Sequence, residues 1–263
     1  MRNYGKVAQR ESTRLKTVGS RVRVPPFPFL KGKMNKKINT AVLFSGGKDS
    51  CMALQHALQS TNVQCLITIT SENPASYMFH TPNIHIAETQ AKAIGLPIIK
   101  KTTKGQKEEE LKDLEKAIQE AIKKYKIEGI VTGALASLYQ SSRIQKICDK
   151  LNLVCLNPLW QKDQIEFLKE LINQKFEVIV IGTFAEGLEN FIGRKIDDKF
   201  IEDIQKVVKK YKINPAGEGG ELETLTLDAP FFKKRLNIEK SHIETDSTGS
   251  KVLVIEKISL NNK

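Results

Sequence analysis

The chain has 263 residues, 40% of them hydrophobic and 27% charged, with a formal net charge of +12. Those proportions suit one large or two modest soluble domains with real cores and exclude a disordered or low-complexity chain. The longest apolar runs, such as "VIVIG" from Val178 to Gly182, fall far short of the roughly 18 residues of a membrane helix, so no membrane partner is expected.

In chain order, the first segment is basic. Residues 1–33 carry nine basic side chains against Glu11 alone, which supplies +8 and leaves +4 for the other 230 residues. The body is therefore only mildly basic, and no stable nucleic-acid partner is expected. The leader has no apolar core of signal-peptide length, and Pro25, Pro26 and Pro28 interrupt any amphipathic targeting helix. Its "VRVP" (Val22 to Pro25) back-translates to GTTCGAGTCCC, which resembles the T-arm of a transfer-RNA gene. Met34 is the expected true start, with a disordered basic arm as the alternative. The cysteines, Cys51, Cys65, Cys148 and Cys155, lie in apolar segments and never as C-x-x-C, which argues against a zinc knuckle or redox pair and fits a reducing cytoplasm.

From Met34 the chain alternates strand-like and helical runs. The strand candidates "INTAVLF", "VQCLITIT", "PIIKKT", "GIVTGA", "LVCLNP" and "FEVIVIGT" are nearly continuous in apolar residues, as strands covered on both faces should be. Between them, "EEELKDLEKAIQEAIKKYK" shows a stripe of Leu111, Leu114, Ile118, Ile122 and Tyr125, with acidic residues in its first turn and lysines in its last. This alternation predicts an α/β fold with a doubly wound parallel sheet over residues 34–156. The lysine-rich "KVVKKYK" from Lys206 reads as a solvated helix face, and Trp160 reads as core. After about residue 213, "ELETLTLDAPFF" and the alternating runs "RLNIEKSHIE" and "KVLVIEKISL" around "TDSTGS" predict a β-rich tail. It should complete a second, smaller α+β domain over residues 157–263 that binds substrate.

Two stretches carry chemistry. "SGGKDS", from Ser45 to Ser50, follows the first strand and opens a helix, so Gly46 and Gly47 let backbone approach a ligand while unpaired amides and the helix dipole face it. Such a turn suits an anion. Lys48 adds a mobile positive charge, Ser45 and Ser50 add hydroxyl donors, and Asp49 can cap the helix or help hold a magnesium ion. The Walker A spacing is absent. Downstream, Glu218, Glu221 and Glu223, with Asp228 after them, form a dense acidic group on a loop tightened by Gly217, Gly219 and Gly220. It repels itself unless cations or donors compensate it, so it suits ammonium, magnesium or a cationic substrate group. Its bland reading is a solvated acidic turn.

The turn resembles the S-G-G-x-D-S motif of the pyrophosphatase-loop family of ATP-dependent enzymes, in which it grips the pyrophosphate end of ATP while the α-phosphate is attacked. "GEGGELETLTLDAPFF", from Gly217 to Phe232, resembles the signature of diphthine–ammonia ligases. "HTPNIH", "GALASLYQSSR", "NPLW" and "GRKID" follow in that family's order, so the resemblance spans nearly all of residues 34–263. The chain departs at Leu222, where an aromatic is common, and in its leader.

The resemblance implies an AMP-forming ligase with ATP and Mg²⁺ as cofactors. Its substrates would be ammonium and translation elongation factor 2 in its diphthine form; a homodimer is compatible with it. Lys48, Asp49, Glu218 and Glu221 are the catalytic candidates, and residues 45–50 hold the nucleotide. Glu218 and Glu221 are expected to face the cationic substrate or ammonium. His80, Tyr139, Gln140, Arg143, Gly219, Gly220, Glu223 and Asp228 are candidates for substrate binding. His56, His80 and His85 lack metal spacing, and Arg143 is as readily an ordinary surface residue. With residues 34–263 accounted for and no cysteine opening the body, free ammonium rather than glutamine is the expected nitrogen source. A transfer-RNA-modifying enzyme with the same loop would predict a basic body and often paired cysteines; a non-catalytic nucleotide-binding regulator would leave the acidic loop unused. Intact-mass analysis of the native protein should find a chain starting at Met34, and recovery of residues 1–33 would overturn that start.

Overall fold

A computed structural model describes residues 37–72, 83–106 and 109–263. The leader and the candidate His80 lie outside the described residues. Five parallel strands form the first sheet, in the order β3-β2-β1-β4-β5: β1 (Asn39–Leu43), β2 (Asn62–Ser71), β3 (Ile98–Thr103), β4 (Gly129–Val131) and β5 (Val154–Leu156). The order reverses at β1, so the carboxyl ends of β1 and β4 border the crevice where open α/β sheets bind ligands.

Side-chain alternation in these strands serves two cores. Ala41, Cys65, Ile67 and Ile130 face Leu114, Ala117 and Ile118 of α3 (Glu109–Tyr125) and Ile144 and Cys148 of α4 (Leu138–Lys150). Val42, Leu66 and Val131 face the opposite way, into the cluster that holds Met52 and Leu54 of α1 (Lys48–Ser60) and Ala91 and Ile94 of α2 (Ala87–Ile94). Of the stripe expected on α3, Leu114 and Ile118 are fully buried, while Leu111, Ile122 and Tyr125 pack partly buried at its edge.

The second sheet has the order β7-β6-β9-β8, built from β6 (Glu177–Thr183), β7 (Leu222–Asp228), β8 (Lys234–Thr245) and β9 (Lys251–Asn262). The run "FEVIVIGT", read from sequence alongside the strands of the alternating ladder, forms β6 here and pairs antiparallel with β7 and β9. Every residue of β6 after Glu177 is buried, so it is as apolar as a parallel strand although its pairing is antiparallel. Helices α5 (Gln164–Asn173) and α6 (Asp198–Tyr211) contribute Phe167, Leu171, Phe200 and Ile204 to the same cluster as α1 and α2. One continuous apolar core therefore ties the second sheet to the α1 face of the first. Trp160 is only partly buried, in a turn where its N–H donates to Asn157 O at 3.2 Å.

Phe200 has no exposed surface and meets Phe191 edge-on, with ring centroids 5.3 Å apart at 88°. Phe200→Ala should cost about 3–5 kcal/mol in a urea melt, because it leaves a cavity as well as losing transfer energy. A loss near zero would show that α6 does not close this core.

Candidate active site

The turn after β1 is held from inside. Gly46 has φ +82°, and a Cβ placed there would lie 2.0 Å from Gln90 Oε1, so both conformation and space demand glycine. The Ser50 hydroxyl accepts from the N–H groups of Ser45 (3.3 Å) and Gly46 (3.1 Å) and donates to Gly47 O (3.1 Å). Ser45 Oγ lies 3.3 Å from Ser50 Oγ. Ser50 thus shapes the turn, a role beyond the ligand donor read from the sequence. Helix α1 starts at Gly47 with no side-chain cap, whereas Ser137, Asp163 and Asp197 cap α4, α5 and α6. Of its first-turn amides, Lys48 N is taken by Thr224 Oγ1, and those of Asp49 and Ser50 have no acceptor within the helix and suit an anion.

Lys48 is not a mobile charge. Its side chain is 4% exposed, its Nζ bonds Asp49 Oδ2 at 2.8 Å, and it lies 5.8 Å from the Phe167 ring centroid. Burial next to an aromatic largely shields the ammonium from solvent, so the adjacent carboxylate is its compensation. Asp49 Oδ1, also buried, has no partner. Strand β7 lies directly against this turn. Lys48 N donates to Thr224 Oγ1 (3.2 Å), Thr226 N donates to Gly46 O (3.0 Å), and Thr224 O would be 3.1 Å from a Cβ on Gly47.

The acidic loop divides its labour. Glu218 accepts from the consecutive N–H groups of Leu135 (3.3 Å) and Ala136 (3.0 Å), just ahead of α4. Burial and the facing Asp49 charge push its carboxyl above the ordinary range, opposed by the Ala136 amide, Lys48 and the Leu135 amide. Glu221 turns inward: it accepts from Asn214 N (3.0 Å), Asn214 Nδ2 (2.7 Å) and Gly219 N (2.7 Å), closing the loop that Gly217 and Gly220 bend with positive φ. Gln164 fastens that loop to α5 by accepting from Ala216 N at 3.0 Å. Leu222, the departure from the signature, is buried against Gly217. Glu223 sits on β7 opposite Gly182. Asp228, at the far end of β7, pairs with Lys263 (2.6 Å) and caps Ala229 N (2.8 Å), so its partners lie away from the turn.

Gly133 packs onto α1 so closely that a Cβ would meet Asp49 O at 2.8 Å, which seats the Leu135–Ala136 segment and the start of α4 beside the site. Gln140 N donates to the Ser137 cap at 3.3 Å. Arg143 folds back on its own helix, 3.6 Å from the Tyr139 ring centroid, with Nη1 on Tyr139 O at 3.4 Å. Three further residues shape the site: Thr224, Thr226 and Gln90. The threonines lie inside the second signature, and Gln90 shows itself as a polar residue on the buried stripe Ile86–Gln90–Ile94.

The uncapped, glycine-built end of α1 fits a polyphosphate, and the unpartnered Asp49 Oδ1 fits one bond to a divalent ion carried in with it. Among the described residues no group of three or more His, Cys, Asp or Glu could hold a metal by itself. None of the described helices is long and apolar enough to cross a membrane.

A G-G-K-D-S turn between the first strand and first helix of a doubly wound sheet, with an uncapped helix end and a buried Lys–Asp pair, defines a pyrophosphatase-loop nucleotide-binding protein. The diphthamide synthase N-terminal domain model matches residues 38–155 and the C-terminal domain model residues 163–260, so the chain belongs to the diphthamide synthase family. Relatives named diphthine–ammonia ligase, an enzyme, include that of Bos taurus, 32% identical over 233 residues that cover 80% of this chain and 86% of that protein. The Homo sapiens relative is 31% identical, covering 78% of this chain and 85% of that protein. The Schizosaccharomyces pombe relative is 32% identical over 79% of this chain, which spans 37% of that longer protein. A solved structure described as a predicted subunit of tRNA methyltransferase from Methanocaldococcus jannaschii covers 73% of this chain and 98% of that one at 19% identity, with a TM-score of 0.38. That likeness is too loose to bear on function.

Folding raises the Glu218 pKa, so the carboxyl favours the folded state when protonated and loses that advantage as pH rises through the raised value. In urea melts from about pH 4, the ordinary carboxylate pKa, to about pH 8, the wild type should lose stability relative to Glu218→Gln. A constant difference would place the carboxyl in water, away from Asp49.

Proposed function

We propose that this chain is an ATP-dependent ligase that amidates the diphthine side chain of translation elongation factor 2 with ammonium. The observation that carries the reading is contact between two signatures far apart in sequence: Lys48 N on Thr224 Oγ1, across 176 residues, and Gly46 O on Thr226 N. That contact joins the turn to the strand that follows the acidic loop, which supports reading the two as one site.

The chemistry needs activation because a bare carboxylate resists attack by ammonia. A diphthine carboxylate oxygen attacks the α-phosphorus of ATP and pyrophosphate leaves; ammonia then attacks the acyl carbon, AMP leaves, and a proton is lost to give the amide. The amides of Gly47, Asp49 and Ser50 bind the departing pyrophosphate, those of Ser45, Gly46 and Lys48 being held by Ser50 and Thr224, and the Lys48 side chain supplies fixed positive charge where charge grows on it. Asp49 orients Lys48 through Oδ2 and offers Oδ1 to magnesium, which when bound adds positive charge at the phosphates. Glu218, with its raised pKa, is suited to taking a proton from the incoming nitrogen. Glu221 holds the loop in shape through Asn214 and Gly219. Diphthine is a trimethylated histidine derivative, so its quaternary ammonium complements the acidic loop. Tyr139, Gln140, Arg143, Gly219, Gly220 and Glu223 border the approach of the protein substrate; Asp228 serves the end of β7.

The test is AMP and pyrophosphate release by the full chain with MgATP and ammonium, with and without the diphthine-bearing factor. Release should need both ammonium and that factor, and the factor's mass should fall by about 1 Da, the exchange of a hydroxyl for an amino group. Lys48→Gln should lower kcat about 10²-fold by removing one fixed charge from the leaving group. Release triggered by transfer RNA instead would overturn the substrate.

A further inference from the structure

Gln90 has no exposed surface, and its carboxamide reaches across to the turn: Nε2 donates to Gly46 O and to Thr226 O, both at 2.8 Å. Two carbonyl acceptors fix the amide's orientation, because only its NH₂ end can donate to them. Its Oε1 is left buried without a partner, in the space that a Cβ on residue 46 would fill. A leucine of similar size would remove the unpartnered Oε1 but would also take the donor from the buried Thr226 O, so the carboxamide serves both the edge of β7 and the carbonyl of Gly46. Asn83, at the entry to α2, makes a matching bond pair: Nδ2 donates to Leu253 O (2.8 Å) and Oδ1 accepts from Ile255 N (2.9 Å), as a neighbouring strand would. Helix α2 is thus tied to β9 at its entry and to β7 at Gln90.

The consequence follows from the geometry of one peptide. In a planar trans peptide the C=O and N–H point in opposite directions, so holding Gly46 O inward turns the Gly47 N–H outward. Between two glycines that peptide flips at little steric cost, and a flipped peptide would present a carbonyl oxygen to the anion. We propose that Gln90 is a positioning residue for the nucleotide turn: with Thr226 N it pins Gly46 O, so that the Gly47 N–H faces the bound phosphate and the turn is anion-competent only when β7 is docked. This inference rests on the nucleotide reading of the turn.

The test uses Gln90→Leu and Gln90→Met in the full chain, two variants so that one poorly folded protein does not decide the matter. Residual dipolar couplings should show the Gly47 N–H vector reoriented in both variants without nucleotide, while thermal melts remain cooperative. If the competent orientation falls to about a tenth of molecules, KM and Kd for MgATP rise about tenfold while kcat at saturating ATP stays near wild type, because bound nucleotide selects the competent turn. A simple loss of folded protein would lower kcat and leave KM unchanged. An unmoved Gly47 vector in both variants, or unchanged KM and Kd alongside wild-type binding, overturns the inference. If the wild type binds neither MgATP nor pyrophosphate while the vector still moves, the nucleotide reading falls and the pinning of the turn stands.

Discussion

The site depends on β7 lying edge-on against the turn after β1. Thr226 N and Gln90 Nε2 both end on Gly46 O, Lys48 N ends on Thr224 Oγ1, and the close approach of Thr224 O to Gly47 would crowd any side chain there. A glycine-rich turn in isolation would sample many conformations, since glycine loses the most freedom on ordering. Here the ordering is enforced by a strand of the other sheet. Both signatures consequently serve one purpose: the first supplies the turn, and the second supplies its mould as well as the acidic loop.

The electrostatics follow from the same contact. Closing the second sheet over α1 removes water from Lys48 and leaves it Asp49 as partner, while the loop before β7 brings Glu218 up to face that pair. Two carboxyls and one ammonium in a partly dry space are unbalanced, and the Leu135 and Ala136 amides make up part of the deficit. In the proposed reaction an incoming polyphosphate would add further negative charge, which a divalent ion on Asp49 Oδ1 would offset.

Much of the fold was legible because its signals are local. The apolar runs of β1 to β5, the stripe of α3 and the glycines of the turn each report on neighbours within a few residues. The direction of β6 was not, since a strand buried on both faces is uniformly apolar whether its partners run parallel or antiparallel. Within the site, Lys48 reads from sequence as a mobile charge and proves fixed. Ser50 reads as a ligand donor and is bound into the turn, and Glu221 reads as facing a cation and closes its own loop. Each difference has one cause: a polar side chain goes to the nearest unsatisfied donor or acceptor, and that neighbour is set by folding.

By itself the sequence determined most of the elements, the glycine-rich turn and the family resemblance, through motifs whose spacing is written along one stretch of chain. Only the tertiary structure decided that Thr224, Thr226 and Gln90 complete the turn, that Glu218 feels the Asp49 charge and that Glu221 closes its own loop. Hydrogen bonds across many tens of residues depend on how the second sheet docks on α1 and α2. That docking is governed by burial of their shared apolar core, which no local pattern encodes.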